Sequence, residues 1–341
     1  MNNPFTLGFG KEPFYNIEQT MLENEILETF LSDNPTTQAY MITGLRGSGK
    51  TVLMTRIEKR LRENSDWIVV DVNPEQNVME EIVAYLSNWH TLVQDASVSL
   101  SAMGIGVNMK QRTTDSIVLD NLLQNLTKKK KKVLIALDEA VVSPQVKEFV
   151  SAFQIYIRKN YNIFLLMTGL YENIYELQNE KTLTFLYRTP KILMKPLNLD
   201  RIAASYGEVF QLSEGAAYEM AKVTGGYPFA YQLLGYLCFR NGKSYKEILS
   251  EFDSLLSEYV YDKIWSELSE KDRMVISGIA KAKTSKNKDI REQIGMDSNT
   301  FTVYRERLAK KGLIDTKEYG NIKLTLPRFK EFSRRKMLVE D

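Results

Sequence analysis

The stretch Gly44-Leu45-Arg46-Gly47-Ser48-Gly49-Lys50-Thr51 constrains this chain more than any other. Its spacing is G-x-x-x-x-G-K-[ST]. In that pattern a glycine-rich turn lets backbone N–H groups close around phosphates, the lysine reaches the β- and γ-phosphates, and the hydroxyl ligates Mg²⁺. The helix that follows adds its positive N-terminal end. The flanks suit the motif: Ala39 to Thr43 reads as a strand, and Val52 to Arg62 reads as a helix. Gly44, Gly47, Ser48, Gly49, Lys50, Thr51 and Val52 are the expected nucleotide contacts, with Lys50 also acting in catalysis and Thr51 also on the metal.

A motif of this kind needs an acidic strand end to complete it. Val133-Leu134-Ile135-Ala136-Leu137-Asp138-Glu139 supplies one. The unbroken apolar run fits a strand covered on both faces of a parallel sheet, and ligands gather at the C-terminal ends of such strands. Asp138 is expected to hold Mg²⁺ and Glu139 to polarise the attacking water. Ile163 to Thr168 reads as a further buried strand; Thr168 either senses the γ-phosphate or merely opens the turn at Gly169. Arg188 is a candidate arginine finger or inter-subunit contact, with a plain surface salt bridge as the alternative. No Asn-Lys-x-Asp follows Asp138 on a strand, so the expected cofactors are ATP and Mg²⁺ rather than GTP.

Other parts of the chain are read from periodicity and punctuation. Residues 1–15 carry Asn3-Pro4-Phe5, Gly8-Phe9-Gly10 and Pro13-Phe14-Tyr15, which predict an extended arm. Ile17 to Leu31 predicts a helix, Trp67 to Val72 a strand, and Val78 to Trp89 a helix. Val98 to Met109 alternates with period two and predicts an inserted hairpin, either a contact device for DNA or a partner, or a cap on the sheet edge. Asp115 to Leu126 predicts a helix. Lys128 to Lys132 reads as a solvated loop, with polyanion contact as the alternative. Val146 to Lys159 predicts a helix, and Lys191 to Met194 the last strand. From Asp200 to Trp265 the pattern is helical, broken at Thr224-Gly225-Gly226-Tyr227-Pro228, where glycines end one helix and proline opens the next. Leu268 to Arg335 reads as three helices (Lys271–Ala280, Lys288–Ile294, Ser298–Lys311) and a hairpin turning at Tyr319-Gly320-Asn321. That is the order of a winged helix.

A lone cysteine, Cys238, excludes a disulfide framework, and a lone histidine, His90, excludes a histidine-rich metal site. The chain shows neither an N-terminal signal pattern nor an apolar run of membrane-spanning length. A cytoplasmic protein without a membrane partner is expected. The net charge of +2 conceals an asymmetry. Residues 281–341 hold 16 Lys plus Arg and 9 Asp plus Glu, a balance of +7 that leaves −5 for the rest. A basic end suggests duplex DNA or another polyanion, with a solvated basic face as the alternative. Phe301, Tyr304 and Leu308 recur at helical spacing and should face inward. This leaves Asn299, Thr300, Thr302 and Arg305 toward a groove, and Lys317 and Lys323 flanking the hairpin turn.

The P-loop with Asp138-Glu139, the Gly226-x-Pro228 turn and the terminal winged helix together resemble AAA+/STAND-type ATPases of the prokaryotic origin-recognition-like class. Thr224-Gly225-Gly226-Tyr227-Pro228 and Lys311-Gly312-Leu313-Ile314 are similar to bacterial ATP-binding proteins of that group. The resemblance runs from Asn3 to Arg335. It implies an α/β P-loop NTPase with an AAA+-like parallel sheet over residues 1–196, a helical lid over 197–263 and a winged helix over 264–341. It also implies that Pro228 packs near the adenine and that the chain can self-associate. Origin-recognition ATPases carry a sensor arginine on the lid helix; Pro228-Phe229-Ala230-Tyr231 has none, so slow, switch-like hydrolysis is expected. The resemblance implies two uses for the winged helix: binding DNA, or binding protein in a signalling or defence ATPase.

Overall fold

A computed structural model describes residues 2–8, 17, 19–93 and 115–340; the hairpin expected at 98–109 lies outside the described residues. The chain forms two compact units. One comprises Thr20–Thr43 and Leu53–Ile192, the other Met1–Gln19, Gly44–Val52 and Leu193–Asp341.

The first unit is built on a sheet. In chain order the elements are α1 (Thr20–Leu31), β1 (Ala39–Thr43), α2 (Lys50–Arg62), β2 (Trp67–Val72), α3 (Val78–Val93), α4 (Asp115–Lys128), β3 (Lys132–Leu137), α5 (Pro144–Arg158), β4 (Ile163–Gly169), α6 (Tyr171–Asn179) and β5 (Lys191–Leu193), with a 3₁₀ turn at Thr184–Arg188 before the last strand. The spatial order is β2-β3-β4-β1-β5. β2 with β3, β3 with β4, and β4 with β1 run parallel. Every residue of β1 and β4 is buried, which is why these strands read as continuous apolar runs rather than alternating ones.

Alternation still sorts the side chains between the two faces. Met41, Ile68, Val70, Val133, Ile135, Leu165 and Met167 face one core with α3, α4 and α5. On the other face Phe30 of α1 packs Tyr40, Trp67 and Phe164, with centroids 5.6, 6.3 and 5.1 Å away. The lysine run is not simply a solvated loop. Lys132 belongs to β3; its Nζ lies 5.4 Å from the Trp67 ring and donates to Phe30 O and Ser32 O. A long stem packed on aromatics with its charge on carbonyls is a stable way to place such a residue.

The second unit is mainly helical: α7 (Leu199–Phe210), α8 (Glu214–Val223), α9 (Pro228–Asn241), α10 (Tyr245–Leu256), a π-helical turn at Ser257–Tyr261, α11 (Asp262–Ser266), α12 (Glu270–Lys281), α13 (Asn287–Gln293), α14 (Ser298–Lys311), β6 (Ile314–Asp315), β7 (Lys323–Leu324) and α15 (Phe329–Glu340). β6 and β7 pair antiparallel. One continuous core runs from Phe5 and Tyr206 to Phe329 and Phe332. The N-terminal arm belongs to it: Phe5 is 2% exposed, with ring centroids 5.7–5.8 Å from Tyr206, Phe210 and Tyr231. Asn3 Nδ2 donates to Tyr236 O, and Thr6 N to Gln232 Oε1.

Helix α15 goes beyond the three helices and hairpin read from the sequence. Phe329 and Phe332 close it against Tyr261 at 5.0 and 5.5 Å. Asp253 of α10 takes both Arg328 Nε (2.6 Å) and Arg328 Nη2 (2.5 Å).

Candidate functional site

The P-loop, Gly44–Val52, lies in the same compact unit as the helices after residue 193, and that unit holds its carbonyl edge. Tyr227, the residue before α9, is buried and its hydroxyl donates to Arg46 O. Burial pushes the Tyr227 phenol far above its ordinary value, so it remains a donor. The Phe229 N–H, in the first turn of α9, donates to Gly47 O at 3.2 Å. Lys50 is 4% exposed, and its Nζ donates to Gly44 O (3.3 Å) and Leu45 O (3.1 Å). Four successive carbonyls, from Gly44 to Gly47, thus accept from α9 and its cap or from Lys50.

Glycine is required at the tip of this loop. Gly47 has φ of +69°, and a Cβ there would stand 2.4 Å from the Tyr227 hydroxyl and 2.9 Å from Phe229 Cβ. Gly226, at +74°, is equally fixed, since a Cβ would meet Leu197 O at 2.6 Å. The Thr224-to-Pro228 turn is tied both ways: Leu197 N donates to Gly226 O at 2.7 Å, and Thr224 Oγ1 accepts from Gly226 N at 3.2 Å. Pro228 opens α9 beside Gly49, its Cγ 3.9 Å from where a Cβ would stand.

The loop also fits a phosphate chemically. Ser48 Oγ is buried and has no hydrogen-bond partner among the described residues. An orphaned buried hydroxyl costs on the order of 1–3 kcal/mol, and an anion seated in the loop would satisfy it. Thr51 and Val52 are half-buried at the start of α2. Arg46 is drawn outward to Glu267 at 2.9 Å, and Leu45 lies against Gly312, the residue that ends α14.

The acidic pair lies in the sheet unit. Asp138 and Glu139 follow β3 and are half-buried. Thr168, fully buried near the end of β4, gives its hydroxyl proton to Asp138 Oδ1 and accepts from the Glu139 N–H at 3.1 Å. Glu139 has φ of +54°, the left-handed region that a side chain enters only at a cost. Its N–H also reaches Asp138 Oδ1 at 3.1 Å, and Ala140 N is held by Thr168 O at 2.7 Å. Thr168 therefore holds the Asp138 carboxylate and the Glu139 backbone. Arg188 is exposed at the end of the 3₁₀ turn beside Tyr187, which is 75% exposed. Among the described residues it makes no ion pair.

Two residues escaped the sequence reading. Tyr227 was read only as part of a helix boundary, and its sole signal was its place between Gly226 and Pro228. Glu58, on α2, sits on a stretch rich in charge, yet it is 7% exposed, and its Oε1 has no hydrogen-bond partner among the described residues. Burial, then the charge of Asp71 and a hydrogen bond with it, push its carboxyl up to about 8, against a smaller opposing pull from Arg62. Asp71 itself takes Arg62 Nη2 at 2.6 Å.

In the C-terminal part, Phe301 and Leu308 of α14 are buried and Tyr304 is partly so. Asn299 is exposed. Asp297 caps the helix through the Thr300 N–H, whose bonds hold its carboxyl below the usual range. Thr302 gives its hydroxyl proton to Ser298 O at 2.8 Å, and Arg305 is half-buried. Lys317 is exposed, and Lys323 pairs with Glu318 at 3.2 Å. Part of the basic excess is used internally: Arg328 and Arg335 meet Asp253, Lys336 meets Asp262, and Arg307 meets Asp272. No helix among the described residues is long and apolar enough to cross a membrane.

The chain is similar over residues 258–333 to a family described as a domain of unknown function (DUF8462). No curated protein matches it. Among solved structures, the Walker-type ATPase PABY2304 of Pyrococcus abyssi is 16% identical, with 94% of this chain and 96% of that chain covered and a TM-score of 0.66. The Aeropyrum pernix ORC2 protein, in its ADPNP–ADP complexes, is 15% identical, with coverages of 94% and 93% and a TM-score of 0.58. At such identities the likeness is one of fold. The chain shares with these two structures its fold, a parallel α/β sheet unit with a C-terminal helical unit.

Proposed function

We propose that this chain is an ATP-dependent switch that binds ATP with Mg²⁺, hydrolyses it slowly, and engages duplex DNA through a C-terminal winged helix. The observation that carries the reading is the P-loop, whose carbonyls from Gly44 to Gly47 are engaged by Tyr227, Phe229 and Lys50. With that edge occupied, the loop offers phosphates its N–H groups and the orphaned Ser48 hydroxyl. Lys50, which donates to two of these carbonyls here, would turn its charge to the phosphates of a bound nucleotide. Pro228, beside Gly49, would border the base. The domains in this reading are the ATPase (1–196), the lid (197–263) and the winged helix (264–341).

Thr51 and Asp138 would hold Mg²⁺, which supplies charge neutralisation on the phosphates. Thr168 keeps Asp138 and the Glu139 backbone in place, and Glu139 polarises the water. Since α9 begins Pro228-Phe229-Ala230-Tyr231, that helix start contributes no arginine to the transition state, and turnover is slow. Arg188, exposed and next to Tyr187, is the proposed contact to a second copy. The sequence offers two sets of residues for the DNA contact, Asn299, Thr300, Thr302 and Arg305 on α14 and Lys317 and Lys323 on the hairpin. The chain acts in the cytoplasm.

The test is phosphate release by the wild type and Glu139→Gln, with ATP affinity measured alongside. Expected are equal affinities and turnover lost only in the variant. Equal turnover would remove Glu139 from the chemistry, and no wild-type turnover at all would leave a nucleotide-binding scaffold. A second reading, a signalling ATPase whose winged helix binds protein, is favoured by one observation: Val303 stands 62% exposed on the outward face of α14.

A further inference from the structure

In a winged helix the third helix is the expected reader of DNA, but the outward face of α14 is poorly suited to phosphates. Its exposed residues include Asn299, Thr302, Val303, Glu306 and Lys310, with the Asp297 carboxylate at the helix start. Two acids there oppose one exposed lysine and the half-buried Arg305. An approaching duplex would meet like charge at the end where it should dock.

The hairpin edge is different. Ser285 to Asn287 lies alongside the turn between β6 and β7. Ile322 N donates to Ser285 O and Asn287 N to Gly320 O, both at 2.8 Å, and Lys286 bridges to Asn321. This brings Lys283, Lys286 and Lys288 to the same rim as Lys317, and all four side chains are exposed. No salt bridge engages them among the described residues. Over 281–288 and 314–323 together there are six lysines, with Asp315 and Glu318 the only acids, and Glu318 is paired with Lys323. Asp289, just beyond, takes the Thr284 hydroxyl. Tyr319 stands fully exposed at the tip, where Gly320 turns at φ of +77°.

We infer that this rim, Lys283, Lys286, Lys288 and Lys317 around Tyr319, is the surface that meets duplex DNA, in place of the outward face of α14. The inference rests on the DNA reading proposed above and locates its contact. The lysines neutralise phosphates, so binding is strongly salt-dependent and indifferent to sequence. Tyr319 adds an uncharged ring at the groove, of the kind that lodges against base edges or between steps.

Full-length protein is titrated with random-sequence duplex DNA over a range of salt, using wild type, the triple Lys283→Ala/Lys286→Ala/Lys317→Ala, the matching triple Lys→Arg, Tyr319→Ala, and the α14 variant Val303→Ala/Lys310→Ala. Each phosphate contact contributes roughly 0.9 to the salt slope, so the alanine triple should lower it by about 2.7. The arginine triple should keep it. Tyr319→Ala should weaken binding at every salt without changing the slope, and the α14 variant should bind as wild type. A wild-type slope in the alanine triple, with binding lost in the α14 variant, overturns the rim and leaves the DNA reading standing. Absence of wild-type binding at low salt, with and without ATP, overturns both and favours a protein partner.

Discussion

Replacing Glu58 with glutamine should change how stability depends on pH, and the sign follows from the structure. The folded carboxyl sits at about 8 against an ordinary 4.5. Between those values the folded state keeps a proton that the unfolded chain has released. Stability therefore falls as pH rises, by about 1.4 kcal/mol per pH unit where the difference is complete. Over the whole interval that is at most about 5 kcal/mol. Arg62 offsets part of the repulsion from Asp71, so the observed change should fall below that bound. Glu58→Gln keeps the shape and removes the titration. Urea unfolding at pH values from 4.5 to 9 should show the two proteins close together at the acid end, with the variant progressively more stable toward pH 9. Parallel curves across the range would refute the buried-carboxyl argument. A variant less stable at pH 9 would mean that an ionised Glu58 is satisfied by a partner other than Asp71.

Two further outcomes are expected. Tyr227→Phe removes one donor from the P-loop carbonyls and leaves Arg46 O short of a bond; ATP affinity should fall about threefold to tenfold, ~0.7–1.4 kcal/mol, and calorimetry showing unchanged affinity beside a lowered melting temperature would make Tyr227 a packing residue only. Asp253→Ala strips α15 of the acid that holds Arg328 and Arg335; a loss of about 1–3 kcal/mol with early hydrogen exchange confined to α15 is expected, and uniform exchange would show that Phe329 and Phe332 alone hold the helix.

Elements governed by their own residues were readable in advance. β1 and β2 match the expected spans to the residue, because each is a short, mostly apolar run that ends at turn residues, Gly44 after β1 and Asn73-Pro74 after β2. Helix α14 also matches, from its Asp297 cap to Gly312, which ends it in the left-handed region at φ of +83°. Features that depend on distant partners were hidden. Helix α15 is ordered by Tyr261 and Trp265, far away in sequence. Phe5 looked like part of an irregular arm until α7 and α9 closed around it. Glu58 is charged, so composition assigns it to solvent; only the fold buries it beside Asp71. The basic C-terminal balance was correct as a count, but it could not reveal which cations meet Asp253, Asp262 and Asp272 and which remain on the hairpin rim. In the candidate site, the motif is written in the spacing, whereas the bonds of Tyr227 to Arg46 O and of Thr168 to Asp138 emerge only from the fold.

The central claim is that Gly44 to Thr51 forms a working ATP site, and calorimetric titration of Mg²⁺-ATP into wild type and Lys50→Ala tests it most directly. Lys50 is buried against the loop carbonyls, so the variant's melting temperature is recorded to establish that it is folded. Saturable one-to-one binding by the wild type, abolished in a folded Lys50→Ala protein, is the expected result. Equal affinity in the two proteins, or no binding by the wild type, would contradict the account.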